Sequence, residues 1–308
     1  MISIALASYN GSKYIREQID SILAQTYQDF ELIVCDDCST DDTWQVLQEY
    51  AEKDNRIKIF ENETNIGFKK NFEKAISLCK GDYIALSDQD DVRTENHLEV
   101  LKKGMKDYSI SCGNSILTDI ENHSLGINLN QVDGLFYFEP GAKFIYRSLL
   151  SGNCLQGANM LMPKMFVKKC LPIPEKVLFH DAWFSACACL ENGVNYTFEI
   201  INNYRQHGNN ITFSRRENTH KASVFQKIKN LKNKIISDRF FYVEELKNRY
   251  GMENRDFEFI YKILNKIRHD SILNIHDIII LWKNYYYIKT QKTHKDFLNF
   301  LLTIHRWK

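Results

Sequence analysis

Residues 2–37 read ISIALASYNGSKYIREQIDSILAQTYQDFELIVCDD, and two periodicities alternate within them. "ISIALAS" (2–8) and "FELIVC" (30–35) are short, apolar and rich in Ile and Val, the composition of strands buried in a sheet. Between them, "KYIREQIDSILAQ" (13–25) repeats its apolar residues at three- and four-residue intervals, as a helix packed by one face does. Strand, helix and strand in that order imply parallel strands joined by a right-handed crossover.

The alternation continues outward. "DDTWQVLQEYAEK" (41–53) and "KKNFEKAISLCK" (69–80) predict helices, and "IKIFE" (57–61) and "YIALS" (83–87) predict strands. Ser39 and Thr40 stand where a cap for the second helix is expected, with Asp41 and Asp42 in its first turn, and Gly81 where a C-terminal glycine of the third is expected. The fold class is therefore α/β, with a mostly parallel sheet between helices.

Open sheets of this kind bind ligands beyond the carboxyl ends of their strands. The residues expected there are Ser8 to Gly11, Asp36 and Asp37, Asn62 to Gly67, and Asp88 to Asp91. One aspartate at a strand end is commonly a turn former. Five carboxylates gathered in one crevice repel one another and need a compensating cation. Oxygen ligands suit a hard cation, Mn²⁺ or Mg²⁺, that keeps waters and binds substrate phosphates, so the crevice fits a nucleotide diphosphate.

The totals are those of a folded globular protein: 308 residues, 44% apolar and 26% charged, with only four prolines. Eight cysteines lie mostly among apolar neighbours, as buried thiols of a reducing compartment do. The pair Cys35 and Cys38 has no second pair at zinc-finger spacing. Met1 leads straight into a strand without signal-peptide character, and the longest apolar runs, such as "IIILW" (278–282), are far short of the ~20 residues a span needs. A cytoplasmic location without a membrane span is expected.

Net charge is +1, but residues 1–220 hold 22 Lys/Arg against 30 Asp/Glu and residues 221–308 hold 18 against 9. In that basic tail Val224, Ile228, Leu231 and Ile235 fall on one helical face, with Lys227, Lys229, Lys232 and Lys234 over much of the rest. Peripheral attachment to an anionic membrane surface, docking on the rest of the chain and a homodimer contact all fit this pattern.

The wording of "SIALASYNGSKYIREQIDSILAQTYQDFELIVCDDCSTDDT", "NETNIGFKKNFEKAI" and "GDYIALSDQDD" resembles the family 2 glycosyltransferases of the GT-A fold, over at least residues 2–92. With "HDAW" (180–183) and "YRQHGNNIT" (204–212) it looks like the rhamnosyltransferase-type branch that builds bacterial O-antigens, capsules and cell-wall polysaccharides. The resemblance implies a GT-A catalytic domain over 1–220, with a nucleotide-sugar half (1–110) and an acceptor half (111–220), and a helical basic extension over 221–308. It implies a nucleotide-sugar donor, an oligosaccharide or lipid-linked glycan acceptor at the inner face of the cell membrane, and no nucleic-acid partner.

Position by position, Asp37 would meet the donor base, with Asp36 beside it and the backbone from Ala7 to Tyr9 as the opposite wall. Asn65, Lys69 and Gln89 would line the donor site, and Arg205 would reach phosphate. Asp88 and Asp90 occupy the DxD positions, with Asp90 a metal ligand, Asp88 on ribose or metal, and His207 completing the metal or touching the diphosphate. Asp181 would be the catalytic base, and Gln156, Gly157, His180 and Trp183 would line the acceptor subsite. Asp181 at a helix start also reads as a simple N-cap. Arg93 departs from the family pattern, which puts the donor-sugar contacts in question.

Two other functions are consistent with a carboxylate crevice. A nucleotidyltransferase usually carries a Gly-rich basic phosphate loop after its first strand, and "ASYNGSKY" has one glycine and one lysine there. A non-catalytic nucleotide- or glycan-binding module would not need every acidic position filled.

Overall fold

The computed structural model describes residues 1–133, 155–208, 240–269 and 273–288, together with positions 135, 145, 148 and 149. The first half forms β1 (Ile2–Ser8), α1 (Ile15–Leu23), β2 (Phe30–Asp36), α2 (Thr43–Lys53), β3 (Ile57–Glu61), α3 (Phe68–Leu78) and β4 (Tyr83–Ser87). These are the elements that the alternation predicts, with ends within two residues of expectation. After them come β5 (Val92–Arg93), α4 (His97–Met105), β6 (Ile110–Thr118), β7 (Ser124–Asn128) and α5 (Leu129–Asp133). Beyond residue 155 come β8 (Met160–Pro163), α6 (Lys164–Cys170), α7 (His180–Leu190) and β9 (Val194–Arg205).

One sheet joins the strands in the order β3-β2-β1-β4-β8-β6-β9-β5, with β7 paired to β6. β1 pairs in parallel with both β2 and β4, whereas β8 runs antiparallel to β4 and β6. The chain moves outward from β1 to β3, then returns along α3 to β4. The switch point therefore lies between β1 and β4, where a crevice opens at their carboxyl ends. Because β8 is reversed, its amino end, preceded by the short 3₁₀ turn Gly157–Asn159, arrives at that same edge.

Strand side chains alternate between two cores. Ile2, Ile4, Leu6, Leu32 and Val34 pack with Ile15, Ile19, Val46 and Leu101 of α1, α2 and α4. Ala5, Ile33, Cys35 and Leu86 pack with Phe72, Ile76, Val167 and Phe184 of α3, α6 and α7. Helices over residues 240–250, Arg255–Arg268 and Ile275–Ile288 add Val243, Leu246, Phe257 and Ile260 to this second core. The amphipathic stretch from Val224 to Ile235 lies outside the described residues. Among the described residues no helix is long and apolar enough to cross a membrane.

Two local expectations are corrected. α3 ends at Leu78 with Cys79 extended, so Gly81 is not its cap. A Cβ on Gly81 would stand 2.8 Å from Met1 O and Ser3 N, so this glycine is required by the close approach of β1. α2 has no side-chain cap. Ser39 Oγ instead donates to Asp36 Oδ1 at 2.7 Å and Thr40 N–H to Asn10 Oδ1 at 2.8 Å, so both belong to the crevice wall.

The described cysteines are free, and Cys154 lies outside the described residues. Burial pushes the Cys35 thiol up to about 11, which removes it from thiolate chemistry at neutral pH.

Candidate active site

At the carboxyl end of β1, the Ser8 hydroxyl donates to Asp36 Oδ1 at 2.8 Å, and Ser39 N–H donates to Asp36 Oδ2 at 2.8 Å. Asp36 is fully buried and ties β1, β2 and the 39–40 loop together. Asp37 accepts from Asn62 Nδ2 at 2.7 Å and from the N–H groups of Ile66 and Gly67 at 2.8 Å each. It is only 2% exposed, so its carboxylate braces the 62–67 loop rather than standing open to a base. The exposed Asn65 sits in that loop, its Oδ1 accepting from Gly67 N–H at 3.2 Å.

Gln89 spans the switch point. Its Oε1 accepts from Tyr9 N–H at 2.8 Å and its Nε2 donates to Tyr9 O at 3.0 Å. The Tyr9 ring is left half exposed over the crevice, next to the partly buried Ala7. Lys69 is turned away. Its ammonium donates to the carbonyls of Pro174, Glu175 and Val177 at 3.3, 2.5 and 2.8 Å.

The acidic loop divides into distinct environments. Asp91 is buried and accepts from Asn202 Nδ2 at 2.9 Å and from Gln156 Nε2 at 3.3 Å. Its carboxyl is raised by burial and by the charges of Asp90 and Asp88. Asp88 is pushed up to about 7 by burial, then by Asp90 and by Asp181, with Arg93 pulling the other way. Arg93 lies beneath the loop, 4% exposed, donating from Nη2 to Leu86 O at 2.6 Å. Burial lowers it to about 10 against the pull of Asp91 and Asp88. It is an internal counter-charge, not a donor-sugar contact.

Asp90 Oδ2 stands 2.9 Å from His207 Nε2. Neighbouring ligands of one octahedral cation at its usual bond lengths stand about 3 Å apart, so this spacing fits Mn²⁺ or Mg²⁺. Burial is the larger cause of the rise in Asp88 and Asp91, and the like-charge part that adds to it is what a cation would relieve. Asp88 does not join the pair of Asp90 and His207 at ligand spacing; among the described residues the one set of three ligand-bearing side chains whose ligand atoms lie within 4.8 Å of one another is Asp119, Glu121 and His123 on the more open β6–β7 turn, where Asp119 Oδ1 already accepts from the N–H groups of Glu121 and His123.

Arg205, which the resemblance puts in reach of phosphate, is the last residue of β9. Its guanidinium is buried, donating to Asp90 O at 2.9 Å, Ile120 O at 2.7 Å and Glu17 Oε2 at 2.5 Å. It holds the acidic loop and does not present itself to a phosphate. Tyr14 stacks on His207 at 5.0 Å and packs against Arg205 at 4.9 Å. Sequence reading missed Tyr14 and Glu17. Their separation of three on one helix face is the signal that could have found them.

Across the crevice, Asp181 opens α7 and is pushed up to about 6 by burial, against backbone hydrogen bonds from Ala182 and Gly157. Its charge in turn raises Asp88, so the two carboxyls share the crevice. Gly157 is required here, because a Cβ would stand 2.8 Å from His180 Nε2. His180 is packed against Phe72 at 4.4 Å and Phe68 at 6.2 Å, and burial lowers it to about 4, so it is neutral. Gln156 Oε1 accepts from Ser115 Oγ at 2.5 Å, which fixes the amide that reaches Asp91. Trp183, expected at the acceptor, is instead wholly buried, with Nε1 donating to Cys170 O at 2.8 Å.

The sequence profile described as Glycosyl transferase family 2 matches residues 3–166. The chain belongs to that family. It is 30% identical over 191 residues to the glycosyltransferase GlyG of Streptococcus pneumoniae, a match spanning 60% of each protein. Less than two thirds of that relative's length is thus represented. Among solved structures, TarS 1–349 of S. aureus in complex with UDP-GlcNAc superposes with a TM-score of 0.61 at 18% identity, over 93% of this chain and 81% of that 1–349 chain. The mannosyltransferase PcManGT of Pyrobaculum calidifontis, in complex with GDP-Man and Mn²⁺, superposes with a TM-score of 0.56 at 13% identity, over 99% of this chain and 87% of that one. The fold of this family 2 chain is GT-A, as the resemblance implied.

Proposed function

We propose that this family 2 protein is an inverting glycosyltransferase that moves a sugar from a nucleotide-diphosphate donor, of dTDP-rhamnose or UDP-hexose type, to a hydroxyl of a growing bacterial surface glycan. The observation that carries this reading is the placement of Asp181, at the start of α7, within range for its charge to act on Asp88 at the carboxyl end of β4.

Asp90, Asp88 and His207 would hold Mn²⁺ or Mg²⁺, which stabilises negative charge on a departing diphosphate. Asp181 takes the proton of the acceptor hydroxyl as the new bond to the anomeric carbon forms and the bond from that carbon to the diphosphate oxygen breaks. His180, neutral at the same helix start, and Gly157 border the space left for the acceptor. The Tyr9 and Ala7 edge, with Asn65 in the facing loop, offers the wall for the base. A lipid-linked acceptor at the inner leaflet agrees with the basic excess over residues 221–308, which also suits a homodimer contact.

The test is release of nucleoside diphosphate from UDP-GlcNAc, GDP-mannose, UDP-glucose and dTDP-rhamnose, with and without Mn²⁺. Metal-dependent release from one donor, lost in Asp90→Ala and Asp181→Asn variants that remain folded, supports the assignment. Pyrophosphate release from a nucleoside triphosphate, with no turnover of any sugar nucleotide, would sink it in favour of a nucleotidyltransferase.

A further inference from the structure

The segment over residues 171–179 delivers Asp181 to the crevice, and it is gripped from two sides. On one side stands α3. Glu73 Oε1 accepts from Ile173 N–H at 2.5 Å, and the Lys69 ammonium takes three carbonyls, those of Pro174, Glu175 and Val177. Phe68 and Phe72 of the same helix lie against His180, the residue before Asp181. On the other side stands the helix over 240–250. Arg249 Nη2 donates to Pro172 O at 3.0 Å and Nη1 to Leu171 O at 3.3 Å, while Tyr242 Oη donates to Phe179 O at 3.5 Å.

The segment is too short and irregular to set its own path. Apart from Val177 N–H to Pro174 O at 3.0 Å and Trp183 N–H to Phe179 O at 3.3 Å, its hydrogen-bonded carbonyls are met by side chains, and each cation satisfies several at once. α3 is in turn anchored to the nucleotide side, because Asp37 holds the N–H groups of Ile66 and Gly67 just before it and Asn71 Nδ2 donates to Cys35 O at 2.7 Å.

We infer that Lys69 and Arg249 are positioning residues for Asp181: they fix the 171–179 segment between α3 and the C-terminal helices, and Lys69 does not bind donor phosphate. This rests on the reading of Asp181 as the base. A base displaced by about 1 Å costs on the order of a hundredfold in turnover while leaving donor binding alone.

The test uses the full chain and whichever sugar nucleotide it hydrolyses with Mn²⁺. Lys69→Met and Arg249→Met are each expected to lower kcat about 10- to 100-fold with donor KM within about twofold of wild type, and Lys69→Arg to recover part of the loss. Hydrogen exchange needs no donor. In both Met variants it is expected to quicken in the peptide covering 173–182 and to stay unchanged in β1 and β4. A raised donor KM at unchanged kcat in Lys69→Met would make Lys69 a donor ligand and overturn the inference. So would unchanged exchange over 173–182. Wild-type turnover in Asp181→Asn is a different failure, which removes the base assignment itself and the inference with it.

Discussion

Asp90 and His207 stand 117 positions apart in the chain, yet Oδ2 of one lies 2.9 Å from Nε2 of the other. The acidic loop after β4 and the residues that follow β9 are thus parts of one site. If both ligate the metal, His207→Ala is expected to weaken Mn²⁺ binding at least about tenfold and Asp90→Ala to weaken it further. Calorimetric titration of Mn²⁺ in the presence of UDP checks this. Equal Mn²⁺ affinity in wild type and both variants would place the metal elsewhere.

The candidate base sets a pH limit. Burial raises the Asp181 carboxyl to about 6, and the groups around it are Asp88 within charge range, neutral His180 beside it, and the N–H groups of Ala182 and Gly157. A base must be ionised to accept a proton, so turnover is present above that value and falls as pH drops through it. Below about pH 6, kcat is expected to lose about a factor of ten per unit. A profile flat down to about pH 4.5 would exclude this carboxyl.

Asp37 makes a stability prediction. Truncation in Asp37→Ala removes the acceptor shared by Asn62 Nδ2 and the N–H groups of Ile66 and Gly67, leaving Asn71 Oδ1 to Asn62 and Asn65 Oδ1 to Gly67 and unpinning the 62–67 loop. A loss of about 2–4 kcal/mol is expected, read from urea denaturation. A carboxylate that chiefly served the donor base would instead raise donor KM at unchanged stability.

Two glycines are expected to behave differently on substitution by alanine. In Gly81→Ala the new methyl meets the backbone of Met1 and Ser3, which cannot move without disturbing β1, so about 1–3 kcal/mol of stability is lost. In Gly11→Ala it meets the far end of the Gln89 side chain, 2.3 Å from Oε1. That side chain can swing away, so stability changes by less than about 1 kcal/mol while the bracket on Tyr9 opens. Thermal denaturation of the pair separates the two cases.

The fold was legible because strand and helix periods are properties of adjacent residues, and in β1 to β4 those periods agree with the tertiary packing. The chemistry of single side chains was less so. Asp36 and Asp37 sit at the expected strand end, yet what their oxygens accept is decided by Ser39 and by the 62–67 loop. Lys69 reads by resemblance as lining the donor site, because the carbonyls that it binds are over a hundred residues away. Trp183 lies on a helix apolar nearly all round, where sequence does not say which side faces the core. Arg205 reads as a phosphate contact because the Asp90, Ile120 and Glu17 oxygens that occupy its guanidinium come from elements far away in the chain.

Arg93 carries a consequence for handling the protein. If the crevice holds a divalent ion, a chelator can strip it, but it cannot remove a guanidinium covalently fixed beneath the carboxylates. Some neutralisation therefore survives demetallation, and a preparation treated with chelator should stay folded and be restored by adding the ion back, with no refolding step between.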